Sequence, residues 1–185
     1  MSVIDDIKEI NYSPTFELVL KNMAEQFSCL AKAHDMASRW AESWSSYFTI
    51  PTIVLSGLSG IGAVGSNNLL PFEGNTILIG MLSFLCATLQ TIASHYSFSA
   101  RATNHRNTCV QYSKLHQLIV IELSLPRNER IEANKLIKII KEDAVRLLET
   151  APILPKIAIL QFQKEFANTP VSVPFILNGL EPVKL

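Results

Sequence analysis

The stretch 49-TIPTIVLSGLSGIGAVGSN-67 decides how this chain folds. Within it, Gly60-Ile61-Gly62-Ala63-Val64-Gly65 spells G-x-G-x-x-G, directly after a strand-like TIVLS. A dinucleotide-binding loop of that spacing needs a helix opening at the glycines and an acidic residue about 20 positions further on. Here Ser-Asn-Asn-Leu-Leu-Pro follows Gly65, and no acidic residue occurs from Gly74 to Ala100. No lysine follows the glycines, so a P-loop fails as well. The glycines must serve something else that needs small residues in an apolar run.

Charge distribution supplies the alternative. From Ser43 to Ala100 the only charged residue is Glu73, which leaves two uncharged runs, Ser43–Phe72 and Gly74–Ala100. Each holds an apolar block long enough to cross ~30 Å of hydrocarbon at ~1.5 Å per residue. We read spans over residues 47–65 and 76–96. Trp44, Tyr47 and Tyr96 are then interfacial anchors. The connection 65-GSNNLLPFEGN-75 is rich in turn formers. Lys32 and Arg39 precede the first span, and Arg101, Arg106 and Lys114 follow the second, whereas the connection has no Lys or Arg. Both termini are therefore expected on the cytoplasmic, basic-flank side. The N-terminal MSVIDDIKEI is acidic and amphipathic, and does not read as a cleavable signal. Across 185 residues, 16 Lys and Arg balance 16 Asp and Glu, which argues against a nucleic-acid binder.

Spacing within the spans assigns the small residues. In the first, Thr49, Thr52, Ser56, Ser59 and Ala63 recur at three–four spacing, with Gly60 beside them. In the second, Ser83, Ala87 and Gln90 do the same. Each span thus carries one stripe of small or polar residues along a helical face. In lipid such a stripe lets backbones approach and lets hydroxyls bond between helices. Two uses are open: packing of one span against the other, or lining a water-filled lumen in an oligomer.

The remaining sequence predicts an all-α soluble part. Ser13-Pro14 is a helix start, an N-cap followed by proline at the first helical position. Phe16, Leu20, Met23, Phe27, Leu30, His34 and Ala37 then form a seam over residues 14–46. After the second span, Phe98, Ala102, His105, Cys109, Tyr112, His116, Ile119 and Leu123 repeat the pattern over residues 97–124. The two helices can zip antiparallel, which brings His34 near His105 and Cys109. A third helix is expected over 129–149, with Ile137, Ile140, Ala144 and Leu147 inward. A break follows at 150-TAPILP-155, then a short amphipathic helix over 156–166 with Ile157, Leu160 and Phe166. The helical domain thus covers 1–167. Residues 168–185 read as an extended, proline-containing arm whose Val173, Pro174, Phe175, Ile176 and Leu177 dock on the bundle or on a protein partner.

Chemistry-bearing constellations are sparse. The three cysteines are scattered, with no C-x-x-C. The histidines on the seams read as polar residues that set register, with a metal or pH-sensing cluster where His34 meets His105 and Cys109 as the alternative, and no metal is assigned. No carboxylate pair, Ser-His-Asp arrangement or acid-bearing membrane relay is evident, so no catalytic residue and no cofactor is assigned and an enzyme is not expected.

The long helix into 47-YFTIPTIVLSGLSGIGAVG-65, the helix 76-TILIGMLSFLCATLQTIASHYSFSARATNHRNTCVQYSKLHQLIVIEL-123 and the ending 147-LLETAPILPKIAILQF-162 resemble the SLATT family, the SMODS and SLOG-associating two-transmembrane effector domains. The resemblance covers roughly residues 16–166. It implies a helical membrane protein that oligomerises and perforates or perturbs a bilayer, as in antiviral defence. Similar domains occur in large DNA viruses. A structural alternative is a virion membrane protein that ties an internal membrane to a capsid shell. Under either reading the expected partners are the lipid bilayer, further copies of the chain and a protein that takes the C-terminal arm.

Overall fold

A computed structural model of the chain describes residues 12–65 and 75–178. The connection between the proposed spans, read at 65–75, falls mostly outside the described residues, as does the end of the C-terminal arm. Among the described residues six helices occur in order: α1 Pro14–Gly65, α2 Asn75–Tyr96, α3 Phe98–Ser124, α4 Ala133–Thr150, α5 Lys156–Phe166 and α6 Phe175–Asn178. No strand occurs among the described residues, so the fold is all-α. The chain divides into two compact units, Met1–Ser38 with Thr103–Leu185, and Arg39–Ala102.

The first unit holds the apolar core. α1 starts where the sequence predicts: the Ser13 hydroxyl accepts the Phe16 N–H at 3.2 Å, and Pro14 needs no donor at this position. The seam of α1 is buried at Leu20, Phe27, Leu30, His34 and Ala37, with Phe16 and Met23 packed at its edge. On α3 the predicted seam is buried at His105, Tyr112 and Ile119. Phe27 stacks on Tyr112 with centroids 6.1 Å apart, and His116 Nδ1 lies 2.9 Å from the Ala24 carbonyl. Residue numbers fall along α1 as they rise along α3, so the two run antiparallel as expected.

α4 covers this pair with Leu136, Ile140 and Leu147, all essentially without exposure. Its start differs from expectation. Residues 129–132 lie outside any helix, and Arg130 and Ile131 spend donors on α3 and its end: Arg130 Nε on the Leu125 carbonyl, and the Ile131 N–H on Glu122 Oε2. The break at 150–155 occurs as predicted, closed by the Ala151 N–H on the Leu147 carbonyl at 2.8 Å. α5 has the predicted bounds but another inward face. Ala158 and Phe162 are buried, whereas Ile157 and Leu160 point to the exterior. Replacing the fully buried Ile140 by Val removes one methylene and should cost about 1 kcal/mol. A urea titration of the detergent-solubilised full chain measures it, and an unchanged midpoint would contradict the packing described.

The arm after α5 is not wholly extended. Pro174 and Leu177 are buried, and the Leu177 N–H reaches back to the Pro174 carbonyl at 2.9 Å, forming the single turn α6. Pro174 has no donor to lose at a turn start, which is why proline permits helix here. Side chains fix the arm to its own unit: the Ser172 N–H donates to Glu25 Oε2 at 2.8 Å, and Gln163 Nε2 donates to the Leu177 carbonyl at 2.7 Å. Val173 packs against the core, and Phe175 and Ile176 stay exposed.

In the second unit, α2 and α3 are separated at Ser97, whose φ of 49° lies in the left-handed region. The Ser97 N–H still bonds the Ala93 carbonyl, and its hydroxyl donates to the Ser94 carbonyl, which holds the kink locally. Neither glycine nor proline marks this break in the sequence.

Candidate functional site

The two uncharged runs meet within the second unit, as the C-terminal part of α1 against α2. The Ser59 and Ser83 hydroxyls share a hydrogen bond of 2.7 Å. The Ser56 hydroxyl lies 3.7 Å from Cys86 Sγ, and that thiol lies 3.9 Å from the Thr52 carbonyl. Toward the other end, Trp44 and Phe48 both stack on Phe98, at 6.0 and 5.8 Å. Falling numbers on α1 again match rising numbers on its partner, so the pair is an antiparallel hairpin.

One glycine earns its place by close approach, and it is not Gly60. A Cβ at Gly60 would meet nothing within 4 Å, so Gly60 takes no part in the contact between α1 and α2. A Cβ at Gly62 would sit 3.2 Å from Ile79 Cγ1. Gly62 lies three residues beyond Ser59 and so stays on the seam, whereas Gly60 is turned away by one residue's rotation. Thr52 also bonds its own helix, its hydroxyl donating to the Phe48 carbonyl at 2.7 Å. Of the other stripe residues, Thr49, Ala87 and Gln90 are exposed, and the Ala63 side chain lies outside the described residues. The stripe on α1 therefore faces α2 at Ser56, Ser59 and Gly62, while the lower stripe on α2 does not face α1.

The rest of this unit turns apolar side chains outward. Ile50, Ile53, Val54, Leu58 and Ile61 on α1 are exposed, as are Ile77, Met81, Phe84 and Leu85 on α2, with Phe84 at 75%. Isolated exposed apolar residues are ordinary, but a continuous belt around two helices is not. Among the described residues, one helical stretch, Ile77–Ser124, is long and apolar enough to cross a membrane, and almost none of its apolar window is buried. That stretch spans α2 and α3. Since α3 carries Arg101, Arg106 and Lys114, the apolar part is α2, whose 22 residues reach ~33 Å. Trp44, Tyr47 and Tyr96, the expected anchors, are all exposed, and Trp44 stacks on Phe48 as well as on Phe98.

Titratable groups gather in the first unit. His34 Nδ1 and His105 Nδ1 lie 2.9 Å apart, both rings buried, and Tyr112 stacks on His34 at 5.8 Å. Burial, reinforced by the neighbouring His105, lowers the His34 pKa from 6.5 to about 4. The predicted meeting of His34 and His105 is thus observed. Cys109 is half-buried, and burial with nearby Asp35 raises its thiol pKa. Burial likewise raises that of Cys29, with Glu25 adding to the effect. Both therefore stay protonated and unreactive at neutral pH. No group of three or more His, Cys, Asp or Glu that could hold a metal occurs among the described residues.

Sequence reasoning missed a second polar centre. Glu17 accepts from Arg127 Nε at 3.1 Å and Nη2 at 3.2 Å, and from Arg130 Nη1 at 2.6 Å. Arg130 also donates to the Leu125 and Leu123 carbonyls at the end of α3, and lies 5.1 Å from the Tyr12 ring centre. The Tyr12 hydroxyl donates to the Ile131 carbonyl at 2.6 Å. The two arginines hold the Glu17 carboxyl below its usual range. This cluster ties the α3–α4 turn to the start of α1, and its chemistry is structural.

No known protein family, characterised protein or solved structure matches the chain.

Proposed function

We propose that this chain is a two-pass integral membrane protein. Its spans pack as a hairpin, both termini lie on the cytoplasmic side, and its helical bundle serves as a structural element of a larger membrane assembly. The belt of outward apolar side chains on α1 and α2 carries this reading, since only lipid or other apolar helices would cover it. The hydroxyl stripe of α1 is engaged on α2 within one chain, which fits a dry seam better than a lumen. Assembly is supported by apolar residues left uncovered on the first unit: Leu148, Leu160, Phe175 and Ile176, with Ile153 at 94% exposure.

A pore-forming effector of the SLATT type is the second reading. Exposed Gln90 favours it, because an amide facing lipid needs a partner from another helix or from water. Dye release from liposomes carrying the full-length protein separates the two. The structural reading expects tight vesicles at high load of correctly inserted protein. Leakage from the wild type that Gln90→Leu and Thr49→Leu both suppress would replace it with a pore lined by those faces. Protein that never inserts would defeat both.

A further inference from the structure

Three glycines of the hairpin have no contact inside the chain that calls for them. A Cβ at Gly57, Gly60 or Gly80 would meet nothing within 4 Å. Glycine nonetheless weakens a helix relative to alanine. Gly57 and Gly60 each follow a contact residue by one, Ser56 and Ser59, as Gly80 and Ala87 follow Ile79 and Cys86. Each therefore steps off the α1–α2 contact row by ~100° in the same rotational sense. In an antiparallel pair, equal offsets fall on the same side, so α1 and α2 build this face together. The residues that precede the contact row, Leu55, Leu58, Leu78, Leu82 and Leu85, are all leucine and fall on the other side. The hairpin thus has one leucine face, suited to lipid, and one face of small residues. Gln90 lies one turn after Cys86, at the edge of the small-residue face. It is exposed, and its amide has no partner among the described residues. Thr88 and Thr91 by contrast satisfy their hydroxyls on their own helix, at the Phe84 and Ala87 carbonyls.

We infer that this face packs on the same face of a second copy of the chain, about a two-fold axis along the membrane normal; the inference rests on the two-pass reading above. Both copies insert the same way round, so equal residues reach equal depth in the bilayer. The axis lays α1 of one copy on α2 of the other. The hairpin itself sets the depths, with Ser59 level with Ser83 and Gly62 level with Ile79. By that register Gly57 is level with Phe84, Ile53 with Ala87 and Gly60 with Gly80, to within ~3 Å of helical rise. Across the axis, the exposed Phe84 of one copy then lies over Gly57 of the other, and the exposed Ile53 over Ala87. Where Gly60 meets Gly80, the two backbones approach closely. The face is its own complement in shape, and no charged residue lies on it. Gln90 comes near the axis. An amide carries both donor and acceptor, so the two Gln90 side chains bond each other.

Ser94, one turn beyond Gln90 on the same side, and Ile92, on the leucine side, are both exposed and at nearly one depth. Ser94→Cys and Ile92→Cys are introduced into the full-length protein, reconstituted in liposomes at graded protein-to-lipid ratios and oxidised with copper phenanthroline. The wild type sets the baseline for the native cysteines. An alkaline wash reports insertion. A disulfide needs Cα atoms within ~7 Å, so Ser94→Cys should give a bridged dimer while Ile92→Cys stays at baseline. Added to Ser94→Cys, Gln90→Leu should raise the ratio for half-maximal bridging about fivefold, the scale of paired interhelical hydrogen bonds. Gly80→Leu, which has open space within its own chain, should reduce bridging to baseline. Equal bridging at Ile92 and Ser94, or bridging at Ser94 that neither substitution weakens, means chance collision and overturns the pairing. Baseline at both positions, with the protein retained after the wash, overturns the pairing and leaves the membrane reading standing. Protein released by the wash overturns both.

Discussion

Glu17→Ala should lower the stability of the helical bundle by about 3 kcal/mol. Arg130 is the reason. Its side chain is 9% exposed, and it neutralises its charge on Glu17 while its other donors close the last carbonyls of α3. Helix ends leave such carbonyls without partners, and a cation there also suits the helix dipole. Removing the carboxylate leaves a nearly buried guanidinium with two carbonyls and the Tyr12 ring but no counter-charge from Glu17, so the cost exceeds that of the hydrogen bonds lost. Arg127→Ala should cost under about 1 kcal/mol, because that partner is 39% exposed and water screens it. Arg130→Lys should lie near Glu17→Ala, since one ammonium cannot serve Glu17 and two carbonyls in the guanidinium's fixed fork. Urea titrations of the three variants in one mild detergent give the order. Equal effects at Arg127 and Arg130 would show that burial is not what sets the cost.

That cluster also marks where the sequence stopped being legible. The helical seams could be read because a three–four apolar period persists over many turns of α1 and α3, and burial follows it at Leu20, Phe27, Leu30, His34, Tyr112 and Ile119. The helix start at Ser13-Pro14 and the break at 150–155 were equally plain, because capping and proline act locally. Glu17 and Arg130 are far apart in sequence, and no spacing rule links an ion pair across that distance. Gly60 and Gly62 illustrate a finer limit. Both sit in the same small-residue run, and only rotational phase against Ile79 decides which one allows close approach. On α5, Ile157 and Leu160 are outward because Ala158 and Phe162 fill the space available, and hydrophobicity alone ranks those residues the other way. The kink at Ser97 depends on local back-bonding that any serine could make, so it left no signal.

The seam carries a pH response as well as register. His34 and His105 need one Nδ1–H between them: one ring donates, and the other accepts at 2.9 Å. Protonating the accepting ring sets two N–H groups against each other. Protonating the donating ring leaves a charge in a site walled by Tyr112 and the α1–α3 core. Either route disfavours the cation, in line with the His34 pKa near 4 in the fold against 6.5 for the free side chain. Between those values the unfolded chain binds the proton and the folded chain does not. Stability is therefore complete above pH 6.5, falls as pH drops through that window, and levels off below about 4. At ~1.4 kcal/mol per pH unit the full loss is about 3 kcal/mol. Carboxylates such as Glu17 add their own losses at the acid end, so the informative range is pH 6.5 to 5. Over that range the wild-type stability should decline while His34→Gln, which keeps a hydrogen-bonding group but has no proton to gain, should stay nearly flat. His116→Gln, at a half-buried position bonded to the Ala24 carbonyl, should decline like the wild type. Parallel profiles for the wild type and His34→Gln would mean that the buried pair takes up its proton without resistance, and the response would have to come from elsewhere.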